Sequence, residues 1–244
     1  MKRVLSVWMA AAKNLWWKLL LILLVMLAAE YGLYRWICPQ LLEQGEHMAR
    51  PFYAVMTHIH IKLVFFAAMA AVTACCCLQG SRFSGSNSYL LQRLSLREWQ
   101  ISMLWALVHL GCFVILWAVQ LLGVFWLWKL HLQLFPTTEP GLNLLVAFYE
   151  NGFLHGLLPL ADVTRWVYLL VYWFSMAVLT ATFGYFQRRG RFRISLLIML
   201  GCYFNLTLEL GNAASHMIFV IACLLVVGTD LYAIWSERHE EDEN

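Results

Sequence analysis

Long apolar runs dominate the chain and are separated by short polar segments. None of the runs alternates apolar and polar positions, which argues against a membrane β-barrel. Each is near the roughly 20 residues that a helix needs to cross the hydrocarbon core of a bilayer. The pattern therefore predicts an all-α integral membrane protein, a single transmembrane domain over residues 1–244. Its six spans lie at about 15–37, 59–79, 99–128, 164–186, 194–212 and 213–235.

Three further segments complete the predicted architecture. Residues 1–18 mix lysines and arginines with tryptophans and aliphatic residues, which favours an amphipathic helix in the headgroup layer; alternatively, they are the cytoplasmic end of the first span. Residues 130–163 are apolar but interrupted by proline, glycine and polar residues. They predict one or two outer helices on the bundle, or alternatively a hairpin that dips into the bilayer. The acidic tail 236–244 is predicted to be disordered.

Composition agrees with residence in a bilayer. Of the 244 residues, 62% are hydrophobic and 13% are charged, whereas a soluble domain carries about 25% charged residues. With the N-terminus inside, most of the 17 lysines and arginines fall in the inside segments. The positive-inside rule therefore predicts cytoplasmic termini in a multi-pass protein.

The segment between the second and third spans is more elaborate than a simple connection requires. Within residues 84–98, Leu90, Leu91 and Leu94 form one apolar stripe, while Gln92 and Arg93 lie on the other side of the same short helix. Ser95-Leu96-Arg97-Glu98 is then a capping box, which stops this helix and starts the third span. A short helix held at a fixed angle between two spans indicates a mechanical contact with another protein.

At these residues the chain resembles the permease subunits of ABC-2-type transporters, which are bacterial exporters. "NSYLLQRLSLREWQ" is similar to the coupling helix of that family, and the order of predicted segments is similar along the whole chain. The family's larger eukaryotic members have re-entrant helices between the fifth and sixth spans, where this chain has only a few residues. Because of that departure, the resemblance does not specify the structure of the outer gate.

The resemblance implies partners and site residues. The chain has no GxxxxGK[ST] motif, so ATP and magnesium would be bound by a separate ATPase subunit, with no cofactor or metal on this chain and no catalytic role of its own. A second permease chain, identical or similar, would enclose the pathway, with the lipid bilayer around it and no nucleic acid involved. The expected contacts with the ATPase are Tyr89, Leu90, Leu91, Arg93, Leu94, Arg97 and Glu98.

Polar residues inside the predicted spans give further candidates. Asn205 and Glu209 are candidate pathway residues, although Glu209 and Glu30 both lie near span ends, where their carboxyl groups could reach water. An apolar or amphipathic substrate, such as a peptide, an antibiotic or a lipid, fits spans without an evident charged cavity. The alternatives are a structural or immunity membrane protein, a secondary transporter, and an intramembrane enzyme. The enzyme would need clustered catalytic motifs that the spans do not display.

Overall fold

The computed structural model describes residues 2–43, 52–79, 98–135, 140–160, 162–191, 194–206 and 213–243. Within these ranges the chain is helical and contains no strand. The helices are α1 (Lys2–Glu43), α2 (Phe52–His58), α3 (Ile61–Gln79), α4 (Glu98–Leu134), α5 (Pro140–Glu150), α6 (Gly152–Leu157), α7 (Val163–Arg188), α8 (Ser195–Leu206) and α9 (Ala213–Glu243). The predicted all-α fold is therefore confirmed.

Five of these helices are long and apolar enough to cross a membrane. Their candidate spans are Ala12–Gln40, Ile61–Gln79, Trp99–Leu134, Val163–Gln187 and Ala214–Ser236. The predicted fifth span, 194–212, is described only as the 12-residue α8, and residues 207–212 lie outside the described part of the chain. Twelve residues rise about 18 Å, less than the bilayer core. Five spans are thus supported, and the sixth stays a prediction.

The two ends of the chain differ from the favoured predictions, and the N-terminal segment follows the alternative in which it continues the helix of the first span. The N-terminal segment is not a separate interfacial helix, because α1 runs unbroken from Lys2 to Glu43. The C-terminal segment is not disordered over 236–243, since α9 continues to Glu243. Once a helix has formed, each added residue gains one backbone hydrogen bond without a new nucleation cost. Residues 2–18 and 236–243 contain no glycine or proline that would stop such an extension.

Helix α7 is the centre of the bundle. Its side chains from Ser175 to Thr182 are all buried, which is expected of a helix surrounded by other helices. Its largest interfaces are with α4 and α9, and it also packs against α3 and α8. The face of Tyr172 stacks on Tyr203 of α8, with ring centroids 4.2 Å apart. Aromatic stacking thus helps to hold the short α8 against the centre of the bundle.

Helix α1 lies at the side of the bundle against α3 and α4. One stripe of α1 is buried at intervals of three or four residues: Leu15, Leu19, Leu23, Met26, Glu30, Tyr34 and Cys38. The opposite face is exposed and apolar, with Trp17 76% exposed and Leu24 66% exposed. Such a surface suits lipid, so the exposed apolar side chains of α1 agree with its assignment as a span.

The segment between α4 and α7 folds into two short helices, in agreement with one of the predicted arrangements. Asn151 separates them, and its Oδ1 accepts hydrogen bonds from the backbone amides of Phe153 and Leu154 at 3.1 and 3.2 Å. Phe153, Leu154 and Leu157 are buried, and the indole of Trp117 on α4 donates to the Leu157 carbonyl at 2.7 Å. Helix α6 is therefore fixed to α4 by a hydrogen bond, and its buried apolar side chains belong to the core of the bundle.

The turn after α7 also agrees with the sequence. Gly190 has a φ of +74°, in the left-handed region that glycine adopts without a steric penalty. This conformation lets the chain reverse between α7 and α8. The Arg189 guanidinium lies 3.9 Å from the centroid of the Tyr185 ring, a cation–π contact that helps to fix the end of α7.

Asp162 caps the other end of α7. Its Oδ1 accepts hydrogen bonds from the Thr164 hydroxyl at 2.6 Å and the Thr164 amide at 2.9 Å, and its Oδ2 lies 3.4 Å from Arg165 Nε. The hydrogen bond from the Thr164 hydroxyl is the main reason that the pKa of the Asp162 carboxyl lies below its usual range. The ionised cap is therefore favoured in the folded protein.

Replacing Asp162 with alanine should destabilise the protein by about 0.5–2 kcal/mol, because α7 loses its N-cap. Asp162→Asn should cost less, since asparagine also caps helices but carries no charge. The charge contribution is present above the ordinary pKa of aspartate and is lost as the pH falls through the depressed pKa of the folded state. Unfolding in detergent over an acid pH series measures both effects. Equal stabilities for the alanine variant and the parent would contradict the capping role.

Candidate functional site within the helix bundle

The predicted contact residues for the ATPase cannot be located relative to one another. Tyr89, Leu90, Leu91, Arg93, Leu94 and Arg97 lie outside the described residues. Glu98 is the first residue of α4, and its side chain is not described. Of the predicted pathway residues, Asn205 belongs to α8 without a described side chain, and Glu209 lies outside the described ranges. These site assignments stay predictions.

The described helices instead place a row of polar side chains along α4. His109, Gln120 and His131 are buried, with exposures of 0%, 0% and 1%. They are spaced 11 residues apart, close to three full helical turns, so they lie on one face of α4 and are separated by about 16–17 Å along its axis. Buried polar residues in spans are costly and are usually paired or functional. This row, called the α4 polar row below, is the candidate functional site.

At one end of the row, His109 joins three helices. Its Nδ1 lies 3.0 Å from the Thr180 hydroxyl on α7, and its Nε2 lies 3.3 Å from Gln79 Oε1 on α3. A neutral ring satisfies both contacts if Nε2–H donates to the Gln79 carbonyl oxygen and Nδ1 accepts from the Thr180 hydroxyl, which then no longer donates to the Met176 carbonyl within α7. Because both ring nitrogens have partners, His109 has a structural role between α3, α4 and α7.

At the other end, His131 joins α4 to α1. The Tyr34 hydroxyl lies 3.2 Å from His131 Nδ1, and both side chains are buried. The rings of Phe52 and Phe135 lie 5.4 and 4.7 Å from the imidazole, centroid to centroid. This end of the row is therefore enclosed by aromatic side chains as well as by a hydrogen bond.

The middle of the row lacks such pairing. Glu30 on α1 is 1% exposed, and neither of its carboxyl oxygens has a hydrogen-bond partner. The Gln120 amide lies close enough to interact with this carboxyl, but neither group makes a hydrogen bond of good geometry. Two polar side chains thus face each other between α1 and α4 with their hydrogen-bonding capacity unused, a costly arrangement in apolar surroundings.

Gly123 allows the close approach of α1 to α4 at this point. A Cβ atom on Gly123 would lie 2.9 Å from Leu27 Cδ2 and 3.1 Å from Glu30 Oε2. Both distances are shorter than ordinary van der Waals contacts. Small residues commonly occur where two membrane helices approach closely. Gly123 therefore makes room for the Glu30 side chain beside Gln120.

A separate cavity of about 170 Å³ lies beside the short helices. Its lining includes His60, Lys62, Glu150 and Asn151, so it carries both signs of charge. Asn151 donates a hydrogen bond to the Thr57 hydroxyl at 3.2 Å, and His60 has a φ of +54°. The cavity has a polar wall, but His109, Gln120 and His131 are not among the described residues that line it.

Some of these residues could be identified as unusual from the sequence, and others were missed. His109, Gln120 and Glu30 are visible as polar residues in apolar runs, but the 11-residue spacing along α4 was not recognised. Asp230 was missed altogether; it lies in the apolar part of α9 and is 2% exposed. An acidic residue within a predicted span was the available signal. No group of His, Cys, Asp and Glu in the described ranges could hold a metal ion.

Five long apolar helices with polar groups buried between them define a multi-pass helical membrane protein. Comparisons with protein-family models, with curated proteins and with solved structures find no match for the chain. The similarity of residues 84–98 to the coupling helix of ABC-2-type permeases therefore stays a prediction.

Replacing Gly123 with alanine should destabilise the contact between α1 and α4. The obstructing atoms are ends of side chains that can partly turn aside, so we expect a loss at the lower end of about 1–3 kcal/mol. Gly111→Ala is the matched control on the same helix, because nothing lies within 4 Å of its Cβ position. Denaturant titration in detergent measures both variants. If Gly123→Ala is as stable as Gly111→Ala, the close approach is wrong.

Proposed function

We propose that this chain is the transmembrane permease subunit of an ATP-driven exporter that resembles the ABC-2-type transporters. The observation that carries the proposal is the connection between α3 and α4. The two helices pack against each other, yet α3 ends at Gln79 and α4 begins at Glu98. Connections between bundled helices usually take about 2–8 residues. Residues 80–97 far exceed that length, and they contain the amphipathic stripe and most of the capping box.

The mechanism would use this connection as the point where force enters the bundle. A separate ATPase subunit would contact Leu90, Leu91 and Leu94 and would move the loop as it binds and hydrolyses ATP. Residues 80–97 directly precede α4 in the chain, and α4 has its largest interface with the central helix α7. A displacement of the start of α4 would therefore act on the packing of the whole bundle, which is how a two-state transport cycle would be driven.

The remaining parts of the proposal rest on the resemblance to the ABC-2-type permeases and on the sequence. A second permease chain would complete the pathway, with Asn205 and Glu209 as candidate polar residues along it. The substrate would be apolar or amphipathic, such as a peptide, an antibiotic or a lipid. The protein would lie in a bacterial plasma membrane with both termini in the cytoplasm, which requires α8 and the residues after it to form a sixth span.

A second candidate function is secondary transport. The observation that favours it is Glu30, an acidic side chain buried between two spans beside Gln120. Ionisable residues inside spans commonly belong to pathways for ions or protons. Purification of the native complex separates the two functions, because the exporter requires an ATPase partner and secondary transport does not.

Changing Leu91 to aspartate should abolish co-purification of the ATPase subunit while the permease still inserts into the membrane. The change places a charge in the apolar stripe that would dock in a groove of the ATPase. Gln92→Asp is the matched control, because it adds the same charge on the other side of the predicted helix. Pull-down of the complex from membranes measures both variants. Unchanged co-purification of Leu91→Asp would remove the main support for the exporter.

Cysteine accessibility should show that the turn at residue 191 faces the cytoplasm and that the end of α5 at residue 150 faces outside. Both positions are exposed in the structure. In intact cells, an impermeant thiol reagent should label Glu150→Cys, whereas Arg191→Cys should react only after the membrane is opened. The parent protein gives the background from the native cysteines. The reverse pattern would overturn the predicted orientation and with it the cytoplasmic position of residues 84–98.

A further inference from the structure

The contact between Glu30 and Gln120 has features of a ligand site. The Glu30 carboxyl is almost completely buried, both of its oxygens lack hydrogen-bond partners, and the facing Gln120 amide is also unsatisfied. An unpaired carboxylate in such surroundings is strongly disfavoured, and a buried acid of this kind is normally neutralised. We therefore expect a positively charged ligand at this contact, and it has to be small enough to fit between α1 and α4.

A proton fits this space better than a metal ion. Metal ions that prefer oxygen ligands take six or more of them, whereas this contact offers the Glu30 oxygens and the Gln120 carbonyl. Helices α1 and α4 are continuous at these residues, so their backbone carbonyls already accept hydrogen bonds within the helices. Gly123 lies directly against the Glu30 carboxyl and leaves no room for a hydrated ion.

Among the described residues, the surroundings of Glu30 offer no other charge that could neutralise it. On α4 the facing groups are Gln120 and Gly123, and His131 further along is engaged by Tyr34. The polar side chains that α3 buries are Thr73, Cys76 and Gln79, of which none is a basic residue. On α1 itself, Arg35 is exposed. Gln120 is thus the polar side chain that faces the Glu30 carboxyl within the described residues.

We propose that Glu30 is a proton-binding site in the contact between α1 and α4. With the proton bound, the neutral carboxylic acid can donate its O–H to Gln120 Oε1 and accept from the Gln120 NH₂ group, so both side chains are satisfied. Release of the proton to water leaves a carboxylate that has to be hydrated. Hydration requires α1 to move away from α4, so proton release and separation of the two helices are linked.

Proton binding at Glu30 is compatible with the second candidate function, secondary transport. It does not depend on either transport mechanism. A bundle whose α1–α4 contact opens when a proton leaves has a conformational change that pH can control. The position of the contact between His109 and His131 limits where water can enter, because both of those groups are buried and engaged. Opening at Glu30 therefore involves α1 rather than the α3–α4–α7 contact at His109.

Two measurements on the purified full-length chain in detergent test the site. The first is labelling with dicyclohexylcarbodiimide, an apolar reagent that attacks protonated carboxyl groups, followed by peptide mapping by mass spectrometry. Glu30 should be labelled at neutral pH and lose its label as the pH rises, by about tenfold for each pH unit once it is mostly ionised. Glu150, which is exposed, should instead react with a water-soluble carbodiimide, and Asp230 is mapped separately as a second buried acid.

The second measurement is thermal unfolding of the parent and of Glu30→Gln between neutral and alkaline pH. Glutamine resembles the protonated acid, so the variant should match the parent at neutral pH. The parent should lose stability as the pH rises and the folded protein gives up its proton, whereas the variant should lack that loss. If Glu30→Gln keeps the pH dependence of the parent, the proposal is overturned.

The labelling also tests the site when the variant does not fold. Labelling of parental Glu30 by the water-soluble reagent, to the same extent as the exposed Glu150, would show an exposed acid and would overturn the proposal. Neither measurement uses ATP or a partner subunit. Failure of the proton site would therefore leave the exporter function standing, and loss of the ATPase partner would not affect these results.

Discussion

The packing of α4 against α7 is the contact on which the other helices depend. Lipid is as apolar as the side chains, so membrane helices associate through close packing and buried hydrogen bonds rather than through the hydrophobic effect. Here Phe113 stacks on Trp173 with centroids 5.7 Å apart, and His109 bonds to Thr180. Helix α3 joins the same centre through Gln79, while the main interfaces of α1 are with α3 and α4. Helix α1 is linked to the bundle by the hydrogen bond between Tyr34 and His131.

The helical spans could be predicted because a chain in hydrocarbon has to satisfy its backbone hydrogen bonds locally. The helix ends were harder to predict. Residues 2–18 and 236–243 are polar enough to suggest a break or disorder, yet they are rich in Lys, Arg, Glu and Ala, which extend an existing helix at little cost. The turn at Gly190 was predictable, because it depends on the left-handed backbone conformation of one residue, which glycine adopts readily.

The candidate site was less accessible from the sequence. Glu30 and Gln120 stand out as polar residues in apolar runs, but the sequence does not show that they face each other. In a soluble helix the apolar stripe marks the buried face, whereas in a span the lipid-facing side is apolar as well. Trp17 and Leu24 are exposed although they are as apolar as Leu19 and Leu23, which are buried. The choice of face depends on contacts such as the one at Gly123, which appear only when the helices are packed.

The unbroken length of α1 changes what its contact with α4 can do. Forty-two residues span about 63 Å, more than the roughly 40–45 Å of a bilayer with its headgroups. The helix is therefore longer than the membrane is thick. If it pivots at the Glu30 contact, a tilt of about 10° displaces the end at Lys2 by about 7 Å over the 28 intervening residues. A change of one proton in the bilayer would in this way become a movement of several ångströms at the far end of the helix.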